Sequence, residues 1–337
     1  MSVNVAINGF GRIGRLVARH LKARKGFDLV AINDLTSPDM LGYLFAHDSV
    51  HRSYQGSVEV SGQDLIIDGD RMQVLAERDP ASLPWGTLGV DYVFEATGLF
   101  ASRAKAAAHL EAGAKKAIIT APGKEVDATF VYGVNHELYD PNAHHVVSNA
   151  SCTTNCLAPM VKVLHETVGI QHGWLTTTHA YTNDQRILDV QHSKDMRRAR
   201  AAAINIIPTT TGAAKAIGLV YPELAGKLDG GAMRVPVPDG SVCDLTFVAS
   251  REGTVDELRE AFVEAAAGPL KGILKATETP IVSSDVIGET HSTVIDLPLV
   301  AQVAPTFFRS VGWYDNENAY ALRCVDLLEF MVERDQG

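Results

Sequence analysis

The first 150 residues alternate between short apolar runs and longer amphipathic stretches. The runs at 3–9 and 28–34 predict buried strands, and the stretch at 12–24 between them has the apolar spacing of a helix. Further strands are predicted at 90–98, 116–122 and 128–135, with a helix at 101–113. Strands that alternate with helices in this way predict a parallel, doubly wound α/β sheet.

The pattern changes after Cys152, where the apolar runs become longer and helices fewer. Strands are predicted at 172–182, 229–237, 243–250 and 291–301. Helices are predicted at 255–268 and in the last stretch, where residues 322, 325 and 328 form one apolar face. This half of the chain therefore predicts an α+β domain with a large mixed or antiparallel sheet.

Composition narrows the class of protein. The chain has 337 residues, which favours two domains, and a net charge of -10, which opposes non-specific binding of nucleic acid. The amino terminus lacks the pattern of a signal peptide, and no apolar run reaches the length of about 18 residues that a membrane span needs. Four cysteines in so long a chain do not form a disulfide scaffold, so a reducing, cytoplasmic location is expected.

The segment Gly9-Phe10-Gly11-Arg12-Ile13-Gly14 reads G-x-G-x-x-G and joins a predicted strand to a predicted helix. Such glycines permit a tight turn and close approach of the backbone to a pyrophosphate, whose charge the helix N-terminus attracts. Asp34 ends the next strand, where it can bind a ribose diol and would repel a 2′-phosphate. The pattern predicts a Rossmann-type NAD site, with a ligand-free glycine turn as the alternative.

Cys152 and Cys156 lie four residues apart in a predicted helix, CTTNCLAPMVKVLHETVG. This spacing holds Cβ atoms about 5–6 Å apart, whereas a disulfide needs about 3.5–4.5 Å. A structural zinc site needs about four ligands, and Cys243 and Cys324 are isolated, so no metal ligands are predicted. Cys156, Cys243 and Cys324 are interpreted as small buried residues.

Cys152 differs from the others because it begins that helix among hydroxyl side chains. Candidate caps are Ser148, Asn149 and Ser151. The helix dipole and free N–H groups are expected to lower the pKa of the Cys152 thiol, which makes it a candidate nucleophile. A histidine is the usual base. Among 12 histidines, His179 lies near a strand end in a polar run, but the pattern alone does not choose it.

Three segments suit the binding of phosphate. Residues 208–212, Pro-Thr-Thr-Thr-Gly, precede a predicted helix and gather hydroxyl and N–H groups. Residues 196–200 are basic in an acidic chain, and Arg234 lies in a predicted strand, where a charge needs a partner. A solvated face and an internal salt bridge are the alternatives for these two. Together with a nucleophilic cysteine and an NAD site, the segments indicate a phosphorylated substrate.

A set of motifs extends along the whole chain: NGFGRIGR (8–15), AIND (31–34), SNASCTTNCLAP (148–159), HAYTNDQ (179–185), RRARAAA, PTTTGAAKA, MRVPVP and WYDNENAY (313–320). Together they closely resemble the phosphorylating (type I) glyceraldehyde-3-phosphate dehydrogenase family. The resemblance implies an NAD-binding domain at 1–151, a catalytic domain at 152–317 and a C-terminal helix at 318–337 that returns to the first domain. It implies NAD-dependent conversion of D-glyceraldehyde 3-phosphate and inorganic phosphate to 1,3-bisphosphoglycerate, typically by a homotetramer.

The same resemblance implies roles for individual residues. Cys152 is expected to be the nucleophile, acting through a hemithioacetal and a thioester, with His179 as its base. The substrate's phosphate is expected at Thr182, Asp184, Arg198 and Arg234, and inorganic phosphate at Ser151, Thr153, Thr211 and Gly212. NAD is expected at Gly9, Gly11, Arg12, Ile13, Gly14, Asp34, Arg78, Thr120, Asn316 and Tyr320.

The chain departs from the family pattern at three places. Residues 317–320 are E-N-A-Y in place of E-W-G-Y, and residues 236–241 are P-V-P-D-G-S in place of P-x-P-N-V-S. Val190-Gln191 replaces a Leu-Pro often seen in NAD-specific members, which leaves NADP use open. The spacing from Asn316 to Tyr320 is kept, so altered packing is expected there.

Two other functions are weighed. Erythrose-4-phosphate dehydrogenase shares the fold and the cysteine motif but differs around Thr182 and Thr211, where this chain keeps the triose-phosphate pattern. A non-catalytic, NAD-responsive binding protein could use residues 196–200 for RNA or a partner. That hypothesis predicts loss of the nucleophile or the base, and both Cys152 and His179 are present.

Overall fold

Residues 2–193 and 195–337 are described by the structure, a computed structural model in which the chain divides into two units. Unit 1 comprises Met1–Phe130, His136–Ala150 and Ala321–Gly337. Unit 2 comprises Val131–Asn135 and Ser151–Tyr320. Within the described residues, no helix combines the length and the apolar character that crossing a membrane requires.

The strands of unit 1 are β1 (Val3–Asn8), β2 (Phe27–Asn33), β3 (Val58–Ser61), β4 (Asp64–Ile67), β5 (Asp70–Leu75), β6 (Tyr92–Glu95), β7 (Lys116–Ile119), β8 (Ala128–Thr129) and β9 (Val146–Ser148). They form one sheet in the order β3-β4-β5-β2-β1-β6-β7-β9-β8. Neighbours are parallel from β5 to β8, as predicted, because the helical crossovers return each strand in the same direction. The antiparallel pairs β3–β4 and β4–β5 were not predicted.

The strands of unit 2 are β10 (Ile170–Ala180), β11 (Ile207–Thr210), β12 (Leu228–Val235), β13 (Ser241–Ala249), β14 (Leu274–Thr277), β15 (Thr293–Asp296), β16 (Ala301–Ala304) and β17 (Phe307–Tyr314). Their order is β11-β12-β10-β13-β17-β15-β14, with β16 on β17. The β10–β12 and β14–β15 pairs are parallel and the others antiparallel, so the predicted large mixed sheet is confirmed.

The helices are α1 (Arg12–Lys22), α2 (Pro38–Ala46), α3 (Arg103–Ala106), α4 (Ala108–Glu111), α5 (Cys152–Val168), α6 (Ala213–Val220), α7 (Val255–Ala267) and α8 (Asn318–Gln336). Helix α5 packs against the strands β13, β15 and β17 of unit 2. It also packs against the helices α6 and α7. Its side chains Cys156, Met160 and Leu164, spaced four apart, are fully buried. The α/β fold class with a Rossmann-type sheet and a second α+β unit is therefore confirmed.

Three predicted elements are wrong in detail. The helix at 101–113 is interrupted at Ala107, whose carbonyl accepts from the Leu110 N–H three residues on and so tightens the turn. The strand at 128–135 ends at Thr129, because the Asn135 side chain accepts from the Val131 N–H and closes a turn. The strand at 291–301 is divided by a 3₁₀ turn, Leu297–Leu299.

Candidate active site

Helix α5 begins at Cys152 because Ser151 caps it: the Ser151 Oγ accepts from the Thr154 N–H at 3.0 Å. This cap holds Cys152 at the first position of the helix, half-buried and as a free thiol. The Cys152 Sγ lies 3.5 Å from Nε2 of His179, the penultimate residue of β10. The structure thus pairs the predicted nucleophile with one histidine of the twelve.

His179 is positioned from the neighbouring strand. It lies opposite Arg234 in the parallel pairing of β10 with β12, and Arg234 Nη1 is 2.7 Å from His179 Nδ1 and 2.9 Å from the Ala180 carbonyl oxygen. That same carbonyl lies 2.7 Å from His179 Nδ1. In the tautomer whose Nδ1 donates to the Ala180 carbonyl, Arg234 donates to that carbonyl and not to Nδ1, and Nε2 carries a lone pair that can accept the Cys152 proton.

Burial governs the charge state of this cluster. It raises the pKa of the Cys152 thiol to about 11, although Arg234 and hydrogen bonds from Thr153 oppose the rise. Burial also lowers the pKa of His179 to about 3, and Arg234 lowers it further. The expected lowering of the thiol pKa is therefore wrong for this structure, because desolvation of the thiolate outweighs the charge of Arg234 and the hydrogen bonds from Thr153.

Tyr314, at the end of β17, is a neighbour of the site that the sequence analysis missed. Its hydroxyl lies 2.8 Å from Thr153 Oγ1 and 3.0 Å from Thr177 Oγ1, and its ring stands edge-on to His179 with centroids 5.9 Å apart. Tyr314 is fully buried. The Thr153 side chain therefore contacts Tyr314 and also contributes a hydrogen bond that opposes the rise in the pKa of the Cys152 thiol. No local pattern marks Tyr314, apart from its place in the WYDNENAY motif.

Two predicted phosphate ligands, Asp184 and Arg198, form an ion pair. Burial would raise the pKa of Asp184, but hydrogen bonds from Arg198 and His192 outweigh it and hold that pKa below its ordinary value. Arg198 Nε also donates to Thr209 Oγ1 at 2.9 Å. Burial lowers the pKa of the Arg234 guanidinium. The charge of Arg198 lowers that pKa further, whereas the charge of Asp184 raises it. Arg198, one residue of the basic cluster, is thus ion-paired, whereas the described contacts of Arg234 are with the His179 ring and the Ala180 carbonyl and include no salt bridge.

The remaining predicted phosphate ligands occupy two turns. Thr182 begins the turn after β10, where its N–H lies 3.2 Å from the Gln185 side-chain oxygen. Thr211 and Gly212 immediately precede α6, and Thr211 Oγ1 accepts from the Ala213 N–H at 3.2 Å. Within the described chain, no side-chain hydrogen bond joins Thr211 or Gly212 to Cys152.

The other three cysteines are buried free thiols, as predicted. Cys156 Sγ donates to Thr293 Oγ1 at 3.4 Å, and Asn149 Nδ2 donates to Cys324 Sγ at 3.3 Å. Burial raises the pKa of Cys243 well above its ordinary value. These environments favour inert thiols and set Cys152 apart.

In unit 1, the glycine motif forms the turn from β1 into α1. Gly9 has a φ of +96°, which a glycine adopts without strain, and a Cβ on Gly14 would overlap the Gly9 carbonyl oxygen. Asp34 follows β2, and its Oδ2 accepts from the Phe10 N–H at 2.8 Å while its Oδ1 accepts from the Thr36 N–H at 3.0 Å. The carboxylate is thereby fixed beside the turn with acceptor capacity left for a ribose diol.

The turn fits a dinucleotide. A Cβ on Gly11 would meet nothing within 4 Å, so the backbone borders open space. Gly11 caps α1 without a side chain, and the first turn of α1 has no acidic residue, so the positive helix end is available to a pyrophosphate. The Arg12 guanidinium pairs with Asp48 at 2.6 Å, so it is the backbone N–H of Arg12 at the start of α1, and not the side chain, that is available to a pyrophosphate.

The other predicted NAD residues are distributed over both units. In unit 1, Arg78 is exposed and Thr120 Oγ1 donates to the Glu95 carbonyl at 3.2 Å. In unit 2, Asn316 and Tyr320 are buried. Asn316 Oδ1 accepts from the Ser241 hydroxyl at 2.5 Å.

A Rossmann-type sheet with an open glycine turn, and a second unit that pairs a cysteine with a histidine, define an NAD-dependent oxidoreductase with a cysteine at its centre. Residues 3–103 match the NAD binding domain of glyceraldehyde 3-phosphate dehydrogenase, and residues 151–316 match its C-terminal domain. The chain belongs to the glyceraldehyde-3-phosphate dehydrogenase family, which confirms the resemblance and the NAD cofactor inferred from the sequence.

Curated relatives agree along the full chain. The glyceraldehyde-3-phosphate dehydrogenase of Geobacillus stearothermophilus is 55% identical over 334 residues, which cover 99% of both chains. Glyceraldehyde-3-phosphate dehydrogenase 1 of Bacillus subtilis is 53% identical with the same coverage. Glyceraldehyde-3-phosphate dehydrogenase 1 of Streptomyces avermitilis is 54% identical over 97% of this chain and 98% of the relative.

Proposed function

We propose that the protein oxidises D-glyceraldehyde 3-phosphate with NAD and inorganic phosphate to 1,3-bisphosphoglycerate. The observation that carries the proposal is the 3.5 Å separation of Cys152 Sγ from His179 Nε2, with Arg234 on the far side of the imidazole. This arrangement supplies a nucleophile, a base and a fixed positive charge at one place.

The first step is attack of Cys152 on the aldehyde carbon. Because burial favours the neutral thiol and the neutral imidazole, the thiol proton passes to His179 Nε2 as the S–C bond forms. His179 then protonates the new alkoxide, which gives a hemithioacetal. The imidazole returns to its neutral form and is ready to act as a base.

The second step is oxidation of the hemithioacetal carbon. His179 removes the hydroxyl proton as a hydride leaves that carbon, and a thioester on Cys152 remains. Bound NAD supplies the hydride acceptor. Inorganic phosphate then attacks the thioester, the C–S bond breaks, and Cys152 leaves as the thiolate. A thioester retains the energy of oxidation for the acyl phosphate, which accounts for a cysteine in place of a serine.

We assign the anions to the residues predicted from the sequence. Arg234 and Arg198 supply positive charge for the substrate's phosphate, with Thr182 and Asp184 beside them. Inorganic phosphate is assigned to Ser151 and Thr153 at the start of α5, and to Thr211 and Gly212 at the start of α6. Because the like charges of Arg198 and Arg234 repel each other, an anion that contacts both guanidinium groups is favoured.

NAD is assigned to the glycine turn and Asp34 of unit 1, with Asn316 directed at the nicotinamide amide. The full set is Gly9, Gly11, Arg12, Ile13, Gly14, Asp34, Arg78, Thr120, Asn316 and Tyr320. The support is the open space at Gly11, the uncapped start of α1 and the fixed carboxylate of Asp34.

The test is NADH formation, followed by ultraviolet absorbance, with glyceraldehyde 3-phosphate in the presence and absence of inorganic phosphate. We expect turnover that requires phosphate, that is lost in Cys152→Ser and that persists in the matched control Cys156→Ser. Erythrose 4-phosphate is tested as an alternative substrate in the same assay. Turnover of erythrose 4-phosphate alone, or unchanged turnover in Cys152→Ser, would contradict the proposal.

We further propose that unit 1 is the NAD-binding domain, that unit 2 is the catalytic domain, and that the protein works in the cytoplasm as a homotetramer. The support is the family resemblance together with four thiols that form no disulfide. Light scattering coupled to size-exclusion chromatography measures the mass, and a value near one or two chains would contradict the tetramer.

A further inference from the structure

Ser241 is the first residue of β13 and is fully buried. Its Oγ accepts from the Ala180 N–H at 3.1 Å and lies 2.5 Å from Asn316 Oδ1. Ala180 follows His179 in β10, and Asn316 lies two residues beyond β17. One hydroxyl therefore contacts both the strand that carries the base and the amide assigned to the nicotinamide.

The two contacts determine which way the hydroxyl proton points. The Ala180 N–H can only donate, so Ser241 accepts from it and retains its own proton for Asn316. The structure places the side-chain oxygen of Asn316, which can only accept, 2.5 Å from this hydroxyl. The group of Asn316 that faces Ser241 is therefore the oxygen, and its NH₂ group is directed away, free to donate to a carboxamide oxygen.

The turn before Ser241 holds the backbone of Asn316 as well. Asp239 Oδ1 accepts from the Asn316 N–H at 3.2 Å and from the Gly240 N–H at 2.8 Å. Gly240 has a φ of +83°, and a Cβ there would overlap the carbonyl oxygen of Ser283. This turn, in which the chain departs from the family pattern, thus fixes both the main chain and the amide of Asn316.

We propose that Ser241 is a positioning residue that sets the orientation of the Asn316 amide and thereby selects the nicotinamide carboxamide. The inference rests on the proposed function, since it assigns Asn316 to that carboxamide. Without the Ser241 hydroxyl, the amide can rotate by half a turn and present its oxygen to the ligand, so a donor is lost from the bound state.

The test compares two ligands in Ser241→Ala. NAD carries the carboxamide, whereas ADP-ribose has the same pyrophosphate and riboses without the nicotinamide. We expect the dissociation constant for NAD to rise about 5- to 20-fold, the range for loss of one oriented hydrogen bond, while that for ADP-ribose stays within about twofold. In an Asn316→Ala background, Ser241→Ala is expected to add no further loss for NAD.

Ser310→Ala is the matched control, since Ser310 is a buried serine of the same sheet whose hydroxyl has no partner among the described residues. It is expected to change neither ligand's affinity. Ser241→Cys keeps the side-chain volume with a weaker donor, and it replaces Ser241→Ala if that variant does not fold. The inference is overturned if the affinities for NAD and for ADP-ribose fall equally, or if the affinity for NAD is unchanged in a folded variant. Wild-type turnover is measured alongside, and its absence would overturn the proposed function.

Discussion

Arg234 Nη1 lies 2.7 Å from Nδ1 of His179, and the two residues face each other in register across β10 and β12. Burial is the largest cause of the lowered pKa of His179, and the Arg234 guanidinium lowers it further. The same guanidinium opposes the rise that burial causes in the pKa of Cys152. One residue therefore biases both partners of the cysteine–histidine pair in the same direction, toward the deprotonated state.

Arg234→Gln is expected to slow alkylation of Cys152. Removing the positive charge raises the pKa of the thiol further, so at any pH below that value a smaller fraction is thiolate. We expect the rate of modification by iodoacetamide to fall about three- to tenfold at fixed pH. Intact mass measured over time gives the rate. The control is Arg200→Gln, which removes an exposed arginine paired with Asp189 and should leave the rate unchanged. An equal or faster rate in Arg234→Gln would show that its charge does not act on the thiol.

Gly14→Ala and Gly11→Ala are expected to weaken NAD binding for different reasons. A Cβ at Gly14 overlaps the Gly9 carbonyl, so the turn must shift and the protein loses stability as well as affinity. A Cβ at Gly11 meets no protein atom and occupies the space assigned to the pyrophosphate. We expect at least about a tenfold loss of NAD affinity in both, with a lower melting temperature only in Gly14→Ala. Calorimetric titration and thermal unfolding separate the two effects, and an unimpaired Gly11→Ala would argue against the assigned position of the pyrophosphate.

Asp335→Ala is expected to destabilise unit 1. Asp335, near the end of α8, accepts from the hydroxyls of Tyr92 and Tyr139 and lies 3.2 Å from the buried Lys116 Nζ. Truncation leaves a buried ammonium and two hydroxyls with fewer partners, at a cost of about 2–4 kcal/mol. Urea unfolding measures the change. The control is Glu333→Ala, which removes an exposed carboxylate on the same helix. An equal loss of unfolding free energy in both variants would refute a stabilising role for the cluster that Asp335 forms with Tyr92, Tyr139 and Lys116.

The same cluster predicts an alkaline limit to stability. Burial, followed by the hydrogen bonds to Asp335, raises the pKa of Tyr92 and of Tyr139 above the ordinary 10.0. A tyrosine whose pKa is raised by folding contributes stability below its ordinary pKa and loses it as pH rises beyond that value. The free energy of unfolding should therefore fall above pH 10.0, and less steeply in Asp335→Asn. A free energy of unfolding that does not change above pH 10.0 would show that these tyrosines do not contribute to stability in this way.

Ser310→Ala is expected to be neutral or slightly stabilising, by up to about 1 kcal/mol. Its hydroxyl is buried on β17 without a hydrogen-bond partner among the described residues, so folding strips it of water without compensation. Ser241→Ala provides the contrast, because that hydroxyl has two partners and its loss should cost about 1–3 kcal/mol. Chemical denaturation of the two variants gives the comparison, and a Ser310→Ala that loses as much as Ser241→Ala would mean that its hydroxyl is satisfied in solution.

Much of the fold could be predicted because its signals are local. The alternation of strand and helix before residue 150, the glycines of the turn into α1 and the cap at Ser151 each depend on residues a few positions apart. The β3–β4–β5 segment was missed because its strands are short and only partly buried, so their apolar alternation is weak. The strand β17, which carries Tyr314, went unpredicted although most of its residues are buried.

The sequence by itself determined that Cys152 begins a helix, that a glycine turn precedes α1, and, through its motifs, the family of the protein. Only the tertiary structure decided which groups surround the thiol: His179 on one strand, Arg234 on the next and Tyr314 on a third. It also reversed the expected direction of the thiol pKa. The physical reason is that a helix terminus is a local property of the chain, whereas desolvation depends on all the segments that pack around a group.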